Sequence, residues 1–213
     1  MPTLRHERAC WAAGWNRLAG VDEVGRGSLA GPLVAAAVVL PRCAGSDQRR
    51  LRRALEGVRD SKQLSAEARI SALAAILDVA ESVSIGMVEA GELDGIGLGV
   101  ANRVAMERAV DALAVTPEAL LLDACLLASD LPQIGLVRGD ACCLSIAAAS
   151  IVAKVARDRI MVEAHRVDPR YGFADHKGYG TASHLRALEE HGPGPIHRRS
   201  FAPVARRVSR AAP

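Results

Sequence analysis

Two kinds of apolar pattern alternate along this chain. Residues 33–40 read LVAAAVVL, a continuous apolar run of strand length. Such a run is expected of a strand covered on both faces. Residues 18–24 form a second strand just before it, and the turn-rich GRGSLAGP joins the two. Residues 66–80 place apolar side chains at helical spacing behind Ser65, a natural N-cap whose hydroxyl can accept an early amide. ESVSIGMVE (81–89) alternates like a strand, and residues 99–114 return to helical spacing. ALLLDAC (119–125) reads as a buried strand ending in Asp123. After a turn around Leu131–Pro132, QIGLVRGD (133–140) reads as a short strand. Residues 143–167 predict a long helix, and the small Ala and Ser side chains of its first half permit close packing on a sheet. A last helix, 181–191, precedes a basic tail. Strands followed by alternating helices and strands predict an α/β layer fold around a mixed sheet.

Composition sharpens this picture in a few places. A chain of 213 residues can bury a substantial core, so neither a disulfide nor a structural metal is needed for stability. Half the residues are apolar but only 3% are aromatic, so the core must be built from Ala, Val, Leu and Ile. The five cysteines are odd in number and contain no CxxC, which points to a reducing, cytoplasmic compartment. No signal-peptide run and no stretch near ~18 uninterrupted apolar residues is present, so no membrane partner is expected. A net charge of +3 says little, but its distribution says more. Arg198, Arg199, Arg206, Arg207 and Arg210 crowd residues 191–213, which hold no acid, and QRRLRRALEGVRDSK (48–62) is a second basic block. Together they suggest a polyanion footprint; in isolation, a solvated helix face and a frayed tail would be the simpler reading.

The candidate chemistry lies in four acids at element ends. Asp123 could simply terminate its strand, and Asp140 could cap the long helix. Asp22 and Glu23 resist such readings, because they are adjacent inside an apolar strand. Clustered carboxylates without His or Cys favour a hard cation such as Mg²⁺ or Mn²⁺, whose charge makes their closeness tolerable. Two such ions about 3.5–4 Å apart can activate a water and stabilise a leaving oxygen in phosphodiester cleavage. Consecutive strand residues face opposite sides. A strand end, a bulge or a backbone contribution is therefore expected at Asp22–Glu23.

AGVDEVGRGSLAGPLVAAAVVL resembles the signature of bacterial ribonuclease HII. DSKQLS (60–65), LLDA (121–124), GDACCLSIAAASIVAKVARD (139–158), YGFADHKGYGT (171–181) and HRRSF (197–201) resemble that family's other blocks, in family order. The resemblance implies a ribonuclease H-like three-layer fold, with a mixed five-stranded sheet flanked by helices. A single catalytic domain over 16–213 is expected, with a helical, basic C-terminal extension from about 168 and a short segment at 1–15. The implied activity is hydrolysis of the RNA strand of RNA–DNA hybrids and nicking at single ribonucleotides in duplex DNA, leaving 3′-hydroxyl and 5′-phosphate ends. The implied metal ligands are Asp22, Glu23, Asp123 and Asp140, holding Mn²⁺ or Mg²⁺. Gly25, Arg26 and Gly27 match the loop whose backbone approaches the ribonucleotide and its 2′-hydroxyl, the group that separates RNA from DNA. Tyr179 matches the tyrosine that packs on the sugar at the RNA–DNA junction.

Of 27 basic residues only three are lysines, at 62, 154 and 177, and all three lie in family blocks. Lys62 and Lys177 are expected to approach phosphates, where a compact ammonium suits. Lys154 is expected to serve packing or the acid cluster. His176 and His197 belong to the motifs, while His184 and His191 are expected at the surface. Gly97 stands where the family often has Asn, so a laxer loop is expected there. The tail ARRVSRAAP shows no sliding-clamp-binding motif, and a monomer is expected. Three rivals are weaker. Ribonuclease HIII adds an N-terminal domain, for which the first acid at residue 22 leaves no room. A binding module would not need the four acids, and a small-molecule enzyme of the GxxxxGK[ST] type lacks its loop.

Overall fold

The computed structural model describes residues 1–211, with side chains as far as Arg207. Five strands form one sheet: β1 (Leu18–Val24), β2 (Leu33–Val39), β3 (Ser82–Val88), β4 (Ala119–Asp123) and β5 (Gln133–Leu136). Their order is β3-β2-β1-β4-β5. β1 and β2 pair antiparallel, as do β2 and β3, whereas β1–β4 and β4–β5 are parallel. The expected mixed five-stranded sheet is thus present. The helices among the described residues are α1 (Arg5–Ala12), α2 (Gly45–Ala54), α3 (Ala66–Val79), α4 (Ala90–Ile96), α5 (Leu98–Asp111), α6 (Gly139–Cys142), α7 (Leu144–Val167), α8 (Phe173–His176), α9 (Ala182–His191) and α10 (Ala202–Ala211).

Every residue of β2 is buried because helices cover both faces of the sheet. On one side Ala36, Val38 and Leu121 share a core with Ile146, Ala147 and Ile151 of α7. On the other, Ala35, Ala37 and Leu122 pack with Ala101, Ala105 and Met106 of α5. The small residues of α7 let it lie directly on β1: a Cβ at Gly20 would collide with the backbone of Ser145 and Ile146. Residues 1–15 join this same core through Leu4, Cys10 and Trp11. Buried Glu7 of α1 reaches α7, where its Oε1 accepts from Ser145 N–H at 2.8 Å and Ser145 Oγ at 2.9 Å. A carboxylate there satisfies amides at the positive end of the helix.

The chain beyond residue 167 builds a third cluster, in which Leu29, Ala30 and Met161 meet Tyr171, Phe173, Leu188 and Val204. Ser65 caps α3 as expected, accepting from Ala68 N–H at 3.2 Å. The expected strand 133–140 is corrected: β5 stops at Leu136, Arg138 turns left-handed at φ 56°, and α6 begins at Gly139. Gly97 also departs from a lax loop. At φ 80° it forms the joint between α4 and α5, donating to Leu93 O at 2.8 Å and accepting from Ala101 N–H at 2.9 Å. No described helix is long and apolar enough to cross a membrane. The end of the tail ARRVSRAAP lies outside the described residues.

Candidate active site

The parallel ladder between β1 and β4 ends at Val21 and Leu122. The next residues in that register are Asp22 and Asp123, which therefore leave the sheet on the same face, toward α7. Asp22 is buried, and its Oδ1 accepts from Glu23 N–H at 2.8 Å. Glu23 keeps regular antiparallel register with Ala35, and Val24 with Val34, so there is no bulge here; only the pairing with β4 ends, at Val21. The Glu23 Cβ departs from the opposite face, yet its carboxylate ends close enough to feel the charge of Asp123. Arg26 Nη1 lies 3.2 Å from Glu23 Oε1, while Oε2 is buried without a donor.

Asp123 Oδ1 accepts from Gly139 N–H at 2.7 Å, which ties the end of β4 to the start of α6. A side chain at residue 139 would meet Ile146 at 2.7 Å and crowd Asp123. Asp140 sits in the first turn of α6, beside the Ala141 amide, and is the N-cap residue of neither α6 nor α7. The cap position of α7 belongs to Cys143, so the capping explanation for Asp140 fails. Among the described residues only Ala124, Arg138 and Lys177 have a positive φ without being glycine. This conformation costs an L-residue roughly 1–2 kcal/mol. Two of the three flank Asp123 and Asp140, and the third is an expected site residue; strain of this kind gathers at functional sites.

The DSK block supports the acids from a second side. Ser150 of α7 hydrogen-bonds Asp22, and its Oγ lies 2.9 Å from Ser61 Oγ. Lys62 Nζ stands 3.9 Å from Asp140 Oδ2. Burial, with the charges of Glu23 and Asp123 beside it, pushes the Asp22 carboxyl well above the usual carboxylate range. Burial also raises Glu23, against the opposing Arg26, and raises Asp140, to which Asp123 adds and which Lys62 opposes.

Beyond β1 the GRG turn is strapped by two buried arginines. Arg198 Nη1 donates to Gly25 O at 2.6 Å and Arg26 O at 3.1 Å. Arg157 donates to Pro32 O, Ala30 O, Ser28 Oγ and Lys177 O at 2.7–3.0 Å. Gly25, at φ 93°, lies against Arg157 with no room for a Cβ. Gly27 has open space around its Cα and no positive φ, so nothing inside the chain requires glycine there. The exposed Arg26 and Gly27 spend neither N–H group on a partner among the described residues. The turn thus consumes its carbonyls internally and presents its amides outward.

Tyr179 bridges to Ser28 of that turn, and Arg157 Cζ and Lys154 Nζ lie 5.4 and 6.0 Å from its ring centroid. Lys154 pairs with Asp158 at 2.7 Å, not with the four acids at the strand and helix ends. Lys177 is not brought to the carboxylates either. Its Nζ folds onto Ala174 O, and it lines a groove of about 370 Å³ with Arg69, Arg159 and Arg166. His184, expected at the surface, is fully buried because its ring is bonded on both sides. The sequence singled out neither Ser150 nor Arg157, and Arg198, read there as part of a polyanion footprint, is instead fully buried. The available signal for Arg157 is its phase: it falls on the apolar stripe of α7 between Ala153 and Met161.

A buried, undonated Glu23 oxygen and three carboxyl groups pushed upward form an oxygen-only, anionic set. That chemistry fits a hard divalent cation. As the side chains stand, no three acids, His or Cys among the described residues converge enough to hold an ion, so closing the set requires side-chain rotation.

The sheet order, the helices on both faces and the acids at neighbouring strand ends define a ribonuclease H-like α/β fold. The ribonuclease HII family model matches residues 19–204. The chain is 50% identical to the ribonuclease HII of Geobacillus kaustophilus, over 94% of this chain and 74% of that one. It is 50% identical to that of Chloroflexus aurantiacus over 96% and 95%. The crystal structure of ribonuclease H2 from Pyrococcus horikoshii superimposes with a TM-score of 0.74 at 25% identity, covering 91% of this chain and 98% of that one. This chain belongs to the ribonuclease HII family and is an endonuclease of the ribonuclease H type.

Proposed function

We propose that this enzyme hydrolyses the RNA strand of RNA–DNA hybrids and nicks duplex DNA at single embedded ribonucleotides, leaving 3′-hydroxyl and 5′-phosphate ends. It acts in the cytoplasm as a monomer, in ribonucleotide removal. The observation that carries this reading is the pairing of two features within a few residues of β1. One is a buried acid set with an unsatisfied oxygen; the other is a turn whose free amides face outward beside a glycine that no internal contact requires.

Asp22, Glu23, Asp123 and Asp140 would hold Mg²⁺ or Mn²⁺. When bound, the ions supply Lewis acidity and positive charge for phosphodiester hydrolysis. The chain's own residues do the rest. Ser150 and the Glu23 amide orient Asp22. Lys62, beside Asp140, offers an ammonium to a backbone phosphate, and Lys177 offers a second at the groove with Arg69 and Arg166. The Arg26 and Gly27 amides meet the ribose 2′-hydroxyl, which is where RNA is told from DNA. Tyr179 packs its ring on the sugar at the junction.

The test uses duplex DNA carrying one ribonucleotide, with Mg²⁺ or Mn²⁺, and an Asp22→Asn variant in parallel. The expected outcome is a single nick by the wild type and a loss of at least about 100-fold in the variant. No nick by the wild type, or equal nicking by both, would refute the proposal.

A further inference from the structure

His184 and His197 form a buried pair outside the carboxylate site. Their Nε2 atoms lie 3.0 Å apart, so one ring must donate and the other accept. Their other contacts decide which. His184 Nδ1 lies 2.9 Å from Tyr179 O, which only accepts, so His184 carries its proton on Nδ1. Gly194 N–H, which only donates, points at His197 Nδ1 at 3.0 Å, so His197 carries its proton on Nε2. The reverse assignment would place His197 Nδ1–H toward Gly194 O at 3.3 Å. It would leave Gly194 N–H without its acceptor and strip a neutral His184 of its bond to Tyr179.

One assignment therefore satisfies every contact but the longer one from His197 Nδ1 to Gly194 O, and it runs in one direction: Gly194 N–H to His197, His197 to His184, His184 to the Tyr179 carbonyl. His176 packs beneath it, stacked on His184 with ring centroids 4.5 Å apart. Its own tautomer is set by Gly178 N–H at 3.2 Å from Nδ1 and Tyr171 O at 2.7 Å from Nε2. Burial holds all three rings below the usual imidazole range, His197 down to about 4, as a chain of neutral rings requires. Tyr179 gains from such a device, because its hydroxyl makes no hydrogen bond among the described residues, and apart from Arg157 and Lys154 over its face the ring is fixed through its backbone. Besides the imidazole chain, the Tyr179 backbone has the amide of Thr181 on its carbonyl at 2.8 Å and its own N–H on His176 O at 2.9 Å.

We propose that His184 and His197 are positioning residues for Tyr179, acting as a one-directional relay of neutral imidazoles that aims its ring at the substrate. This rests on the reading of Tyr179 as a substrate-contacting residue. The relay joins the HKGYGT and HRRSF blocks, so a residue of the C-terminal segment sets the geometry of the sugar contact without touching the substrate.

Two measurements test it. Ring ¹⁵N NMR of the wild-type protein at neutral pH should find His184 protonated on Nδ1 and His197 on Nε2. A His184 protonated on Nε2 would overturn the relay, whatever any variant does. In steady-state nicking of the ribonucleotide duplex, His184→Leu should raise KM about tenfold and change kcat by less than about twofold. His184→Asn, whose Nδ2 can donate in place of Nδ1, should recover most of that loss. Tyr179→Ala should raise KM about as much, and adding His184→Leu to it should cost nothing more. A Tyr179→Ala enzyme with unchanged KM sinks the substrate reading itself. A raised KM in Tyr179→Ala with none in His184→Leu sinks the relay alone.

Discussion

Asp22 and Glu23 were legible because they break a pattern: no turn, cap or polar stretch explains two acids in an apolar strand. Their neighbours in space were not. Ser150, Arg157 and His184 are ordinary polar residues on helices, and only the packing of α7 and α9 brings them to the site. The acids also carry a consequence for stability. Folding raises the pKa of Asp22, Glu23 and Asp140, so the folded protein binds protons more tightly than the unfolded chain. Stability from these groups is complete below the ordinary carboxylate range and is lost as pH rises through their raised values. The metal-free protein is therefore expected to melt at a lower temperature at pH 8 than at pH 5.5 as far as these groups decide it, and Asp22→Asn should shrink that difference. A thermal melt series in chelator, with and without added Mg²⁺, measures both. Gly25 and Gly27 should separate in the same way. Gly25→Ala meets Arg157 and a φ of 93°, so it should lower the melting temperature. Gly27→Ala has room, so it should leave stability within about 0.5–1 kcal/mol and lower nicking instead.

At the scale of elements, the strongly periodic segments were recovered to within two or three residues, because burial on a sheet enforces their spacing. What failed was local. The run 133–140 looks like a strand by composition, but the left-handed Arg138 and the close contact of Gly139 with Ile146 divert it into α6. Nor did the sequence pattern mark α1 as part of the core. Its importance lies in Glu7, a charge that reads as surface until α7 is placed over it. Glu7→Ala leaves the Ser145 amide and hydroxyl without their acceptor at a helix start. The expected cost is about 1–3 kcal/mol, read from chemical denaturation with the slope unchanged.

For the whole molecule, the two basic blocks of the sequence resolve differently. Arg198 is buried as a strut, whereas Arg49 and Arg52 of α2 join Arg5 and Arg8 of α1 around a concavity that no acid lines. A long duplex engaging that face would displace counterions there. Replacing Arg49 and Arg52 by Ala is expected to weaken binding of a long duplex. It should also flatten the slope of log affinity against log salt by about 0.9 for each phosphate that is no longer neutralised. A duplex too short to reach α2 should show neither change.

The strapped GRG turn has one more consequence, thermodynamic in kind. The Gly25 and Arg26 carbonyls are held by the buried Arg198, and the buried Arg157 holds the chain that follows at Ser28, Ala30 and Pro32, so the conformational freedom of this loop is surrendered when the chain folds. Substrate then meets a loop already frozen in shape, and association need not order it. Calorimetry should find that substituting the turn's outward face changes mainly the enthalpy of binding. Loosening Arg198 should instead appear as an entropic penalty, with the bound complex held by the same interactions at the end.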